Sequence, residues 1–122
     1  MSDQIRQGEI LLIPVDSIPS GLQTTPVKTA LLGIGETGNA HVVEGVGLQW
    51  LHDAIEDINT VKKQGATAAQ RNIYLRVGDG SQISHRATDE PHGTLELPSG
   101  TYLVRIDREW LPFEDEARFV ED

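Results

Sequence analysis

The sequence contains no cysteine, which excludes disulfides, thiolate zinc sites and a cysteine nucleophile and leaves any metal to histidine and carboxylate. Aromatic residues make up only 5% and hydrophobic residues 38%, so the core is expected to be modest and aliphatic. Long apolar runs are also missing. "ILLIPV" at 10–15 is among the longest, far below the roughly 20 residues a spanning helix needs. The opening "MSDQIRQGEI" has no basic region leading into an apolar stretch, so no signal peptide is expected. Cations are scarce, with 10 Lys and Arg against 19 Asp and Glu, a net charge of −9. Nucleic-acid and anionic-membrane binding need clustered Lys and Arg, so neither partner is expected. A soluble, cytoplasmic protein follows as the expectation, its acidity serving solubility or a basic partner.

What the sequence does contain is β-forming segments with frequent turn signals. A chain of 122 residues fits one domain with a core of its own. "GEILLIPV" (8–15), "PVKTALLGIG" (26–35) and "IYLRV" (73–77) are short apolar runs closed by Pro and Gly, and each predicts a strand. "HVVEGVGLQW" (41–50) predicts a hairpin or bulge near Gly45 and Gly47. Leu48, Leu51, Ile55 and Ile58 have helical spacing, while Val46 and Trp50 suit a strand. The reading is a strand through about Leu51 and a short helical turn to about Ile58. "TVKKQGATAAQRN" (60–72) has no core-facing period and predicts a long exposed loop.

In "TLELPSGTYLVRIDREW" (94–110), Leu95 and Leu97 alternate with polar residues before "PSG" turns the chain. Tyr102, Val104, Ile106 and Trp110 then share one parity, which predicts a hairpin with one buried face. The acidic tail 113–122 carries Phe113, Ala117 and Val120 at helical spacing and suits a short docking helix or a frayed end. Residues 1–122 are thus expected to form one all-β domain, a small β-barrel or a jelly-roll-like sandwich, with one long exposed loop and a short helix.

Three histidines make the one constellation with chemical potential. His41 follows "GETGN", and His85 and His92 flank "RATDEP". Imidazoles with one or two carboxylates are the donor set that borderline divalent metals (Zn, Mn, Fe or Ni) prefer. Glu36, Glu44, Asp89 or Glu90 would serve as oxygen ligand or base, with Glu90 the candidate catalytic carboxylate. Glu36 and Asn39, on the turn before His41, are candidate ligand-binding residues. The competing reading is scattered surface histidines, since by parity His92 groups with Thr94 and Glu96 on a polar face. His52 lies in the ambiguous 48–58 stretch and is left outside the set.

Arg108 has the parity of Tyr102, Val104 and Ile106, so a regular strand would point it inward. An unpaired charge in a core costs several kcal/mol. It would therefore pair with Glu9, Glu36 or Glu90, be turned out by a bulge, or bind an anionic ligand. The serines lie in turn contexts rather than a nucleophile elbow. "GIGETG" (33–38) lacks both the Lys-Ser/Thr of a phosphate loop and the helix of a dinucleotide site.

"RQGEILLIPV" (6–15), "GETGNAHVVEG" (35–45) and "SHRATDEPHGTLELPSGTYLVRIDREW" (84–110) together resemble a set of small uncharacterised bacterial and phage β-domain proteins. Those open with a "QGD-[VI]-LL-x-PV" strand and carry a "TGHAH"-like turn and an "H-x-E/P-H…LP-x-G-x-Y…QREW" ending. The resemblance covers the two ends of the chain, outside about 46–72, and implies a compact β fold. It places the family-like histidines at His41, His85 and His92, while Asn39 stands where the turn has its first histidine. The spacing from Gly35 to His41 is also faintly similar to cupins, in which the next histidine would fall at Val43.

Two functions compete on these grounds. The first is a non-catalytic β module that forms a homo-oligomer or binds a larger protein partner, resting on the lack of a sharp catalytic motif. The second is a degenerate cupin-like metal-binding enzyme or ligand-binding protein using His41, His85 and His92.

Overall fold

Among the described residues, ten strands form two antiparallel sheets that face each other across an aliphatic core, with one α-helix beside them. The structure is a computed structural model that describes residues 4–7, 9–34, 40–69, 71–86 and 92–106, with side chains except at 85, 86, 92 and 93. The strands are β1 (Ile5–Gln7), β2 (Ile10–Val15), β3 (Gln23–Pro26), β4 (Thr29–Ile34), β5 (Ala40–Glu44), β6 (Gln49–His52), β7 (Ile73–Val77), β8 (Ser81–Arg86), β9 (His92–Leu97) and β10 (Gly100–Ile106). The larger sheet has the order β1-β2-β10-β7-β6-β3 and the smaller β4-β5-β8-β9. Both sheets are open among the described residues, so of the two expected architectures the sandwich is the one found. The core follows from strand alternation. Ile10, Leu12, Trp50, Leu75 and Val104 of the larger sheet meet Ala30, Val43, Ile83 and Leu97 of the smaller.

Glycine-marked turns that predict hairpins are instead corners between the sheets. β5 and β6 are neighbours in sequence but lie in different sheets, so the stretch around Gly45 and Gly47 is a crossover rather than a hairpin. The β7–β8 connection at Gly78–Gly80 crosses back beside it, with the Gly78 N–H donating to the Val46 carbonyl at 2.9 Å. A Cβ on Gly45 would sit 2.7 Å from the Ser81 Cα, so only glycine lets the two crossovers touch. "PSG" likewise does not close a hairpin: β9 and β10 belong to different sheets. β10 pairs instead with β2 and β7, although Tyr102 and Val104 do face the core as the parity predicts. The Tyr102 hydroxyl fastens this corner by donating to the Pro98 carbonyl at 2.6 Å. β1 and β3, short edge strands, have no counterpart in the periodicity reading.

The expected exposed loop at 60–72 is largely a plug in one end of the sandwich. Helix α1 runs over Ile55–Gln64 and a 3-10 turn over Ala66–Ala68. Glu56 and Asp57 in the first turn and Lys62 and Lys63 in the last complement the helix dipole. Ile58, Val61 and Ala66 enter the core. The helix stops at Gly65 (φ 97°), whose N–H returns to the Val61 carbonyl at 2.9 Å. Gly65 packs directly on β4: a Cβ there would lie 2.8 Å from the Gly33 Cα. No helix among the described residues is long and apolar enough to cross a membrane.

Candidate functional site

The three candidate histidines fall in one register row across the smaller sheet. His41 on β5 is opposite His85 on β8, and His85 is opposite His92 on β9. Gly33 on β4 extends the row, opposite His41. Two irregularities set this alignment, a register shift between Leu31 and Gly33 and another between Ile83 and His85. In the second, β8 advances two residues, from 83 to 85, while β9 advances three, from 95 to 92. The alternation counted back from Leu97 is therefore interrupted between 95 and 92. Bulges of this kind collect at sheet edges and beside active sites, where they re-aim side chains.

His41 is buried and shares its inward parity with Val43. Its Nδ1 lies 2.9 Å from the Oε1 of Gln7, which stands on β1 of the other sheet. The donor and acceptor roles in this bond depend on the tautomer; the tautomer protonated on Nδ1 donates to the amide oxygen and keeps its lone pair on Nε2. That is the arrangement seen for metal-binding histidines, whose other nitrogen is fixed by a hydrogen bond. Gln7 carries no motif of its own and was not singled out by sequence; only its parity with Ile5 hints that it faces inward. Side chains at 85 and 92 are outside the described set, and among the described residues no three His, Asp or Glu are grouped to hold a metal.

The connections 35–39 and 87–91 leave the smaller sheet at the end where Ala40 pairs with Arg86, one residue beyond the His41–His85 pair. Glu36, Asn39, Asp89 and Glu90 belong to those connections, and with Arg108 and the 113–122 tail they lie outside the described residues. Glu44 is described, exposed at the far end of β5 and three residues from His41.

His52, left out of the candidate set, is fully buried and structurally committed. Its Nδ1 donates to the Ala54 carbonyl at 3.1 Å, and its Nε2 is 2.8 Å from the Thr25 hydroxyl. Asp57, also buried, accepts from the Ala54 N–H at 3.2 Å and from Arg71 at 2.9 Å. This cluster ties β6 and β3 to the start of α1, and every contact in it is accounted for by that joint.

A family model matches residues 6–107, from β1 to one residue beyond β10. The chain belongs to the family described as Domain of unknown function (DUF8820). No curated protein and no solved structure matches it. The DUF8820 match takes in the whole histidine row and Gln7, and it ends short of Arg108 and the tail.

Proposed function

We propose that this domain binds a divalent metal through His41, His85 and His92. The observation that supports it is the register row. Directly opposed positions on three neighbouring strands put the outer two Cα atoms about 10 Å apart. Two strand irregularities and a Gln7-oriented imidazole meet at the same row. Three imidazoles favour zinc, nickel or iron over the hard cations and leave a coordination position for water or a ligand. Glu90 or Glu36 then serves as the oxygen ligand or as the base acting on what binds there. In this reading His41 keeps the position that the faint cupin-like spacing assigns to a ligand, and Asn39 is no part of the ligand set. Elemental analysis of the purified chain tests the reading. About one metal per chain, lost in His41→Ala, His85→Ala and His92→Ala alike, is expected; metal-free protein, or metal retained in all three, refutes it.

A second reading, self-assembly, is favoured by one observation. The two edge strands of the smaller sheet expose large apolar side chains, Ile34 on β4 at 50% and Leu95 on β9 at 41%. Exposed edges of this kind invite pairing with a second copy. Light scattering separates the two: a defined oligomer that Ile34→Lys or Leu95→Lys dissociates supports assembly, and a monomer at all concentrations removes it.

A further inference from the structure

The face of the larger sheet turned away from the core has a charge unlike that of the chain as a whole. Core-facing Leu12, Trp50, Leu75, Tyr102 and Val104 set the alternation, and the positions between them form three rows across the strands. Arg6 on β1 is opposite Leu11 on β2, and Leu11 is opposite Arg105 on β10. In the next row Ile13 is opposite Leu103, which is opposite Tyr74. In the third, Thr101 is opposite Arg76. Among the described residues no position in these rows is Asp or Glu, while three are Arg. The chain as a whole has 19 acidic residues against 10 basic ones.

Towards β6 the chain itself buries this face, with Leu51 at 2% and Tyr74 at 8% exposure. Towards β2 the face opens into a groove of about 490 Å³ walled by Leu11, Ile13, Arg71, Asn72, Arg105 and Ile106. A volume of this order suits a small organic molecule. Leu11 and Ile13 are half-buried and give the groove an apolar wall.

Two guanidiniums face that wall. Arg71 is anchored, its Nη1 donating at 2.9 Å to Asp57, whose carboxylate is buried. One of the two cations is thereby neutralised and held in place, while Nε and Nη2 of Arg71 have no partner among the described residues. Arg105 is exposed and has no hydrogen-bond or ion-pair partner among them. Val104 is opposite Ile73, and the same register carried one residue further sets Asn72 beside Arg105. Its amide adds two N–H donors. The groove therefore combines one uncompensated positive charge, several unused donors and an apolar side. A single carboxylate matches that charge and accepts the parallel N–H groups of a guanidinium. A phosphate dianion exceeds it.

We propose that this groove binds a small organic carboxylate. The head sits on Arg105, supported by Asn72 and Arg71, and the apolar body lies along Leu11 and Ile13. The site shares no residue with the histidine row and does not depend on a metal there.

Titration of the full-length, isotope-labelled and chelator-treated protein with hexanoate, followed by amide chemical shifts, tests the proposal. The expected result is a saturable shift confined to Leu11, Ile13, Arg105 and the Asn72 side chain. Arg105→Gln is expected to raise the Kd about tenfold or more. Arg105 is exposed, so the variant keeps the fold, which its dispersed amide spectrum checks. Hexan-1-ol has the same apolar body without the charge and is expected to bind about tenfold more weakly or worse. No saturable shift, shifts spread over the whole surface, or an equal Kd in Arg105→Gln overturns the proposal. So does hexan-1-ol binding as tightly as hexanoate, or hexyl phosphate binding more tightly than hexanoate.

Discussion

Gln7 and His41 join the two sheets at one hydrogen bond, 2.9 Å from Oε1 to Nδ1, although 34 residues separate them and they belong to different sheets. The bond holds the imidazole at the row shared with His85 and His92 and ties the three-residue edge strand β1 to that row. Replacing Gln7 with Leu removes this hydrogen bond to the buried ring. A loss of about 1 kcal/mol is expected in denaturant unfolding. A fall of tenfold or more in metal affinity is expected by titration calorimetry. Unchanged affinity in Gln7→Leu alongside tight binding by the natural chain would show that Gln7 has no part in orienting the ring.

Gly65 tests the seating of the helical plug. Its φ of 97° is a left-handed conformation that costs a side-chain-bearing residue about 1–2 kcal/mol. A Cβ would also meet the backbone of Gly33 at 2.8 Å, a contact that only movement of α1 or β4 relieves. Gly65→Ala is therefore expected to destabilise by about 3 kcal/mol in denaturant unfolding. Because Gly33 stands opposite His41, the same change should also weaken metal binding.

Asp57 is the buried half of a pair whose other half, Arg71, is about half exposed. Its carboxylate also accepts the Ala54 N–H at the start of α1. Asp57→Ala removes a helix cap and a buried acceptor, with an expected loss of about 2 kcal/mol. Arg71→Ala is expected to cost less than about 1 kcal/mol, since water screens the guanidinium. Thermal unfolding of both single variants and the double variant checks this, with a small coupling energy between them.

Tyr102 gives the chain a signature at alkaline pH. Burial raises its phenol above the usual value of 10.0. The unfolded chain then releases this proton first, so the contribution of the neutral phenol is complete below pH 10 and is lost as pH rises through the folded value. Tyr102→Phe also loses the hydrogen bond to Pro98, about 1 kcal/mol at neutral pH. The stability difference between the natural chain and Tyr102→Phe should narrow above pH 10. A difference that stays constant to pH 11 would contradict the account.

The strands were legible where β-forming apolar runs met Pro or Gly, as in "ILLIPV" and "IYLRV", because alternation and turn residues act locally. The pairing of strands was not. "PSG" between two alternating stretches suits a hairpin and a corner between sheets equally well, and only the partners of β10 decide which it is. The length of α1 was hidden because Val61 is its one large apolar residue after Ile58; the rest of the plug seats through Gly65 and Ala66, whose burial leaves no hydrophobic period. The histidines themselves could be picked out by type, but their alignment depends on two register shifts, and one of these interrupts the alternation between 95 and 92. Gln7, the residue that holds His41, sits in a three-residue strand too short to show a period.

Thermal unfolding with and without zinc tests the histidine row most directly. A ligand at a hundred times its Kd, bound only by the folded chain, adds about 2.7 kcal/mol, which for a domain of this size raises Tm by about 10 °C. The account predicts that rise for the natural chain, its reversal by a chelator, and its absence in His41→Ala and His92→Ala. A Tm that is the same with zinc, with chelator and in the variants would contradict it.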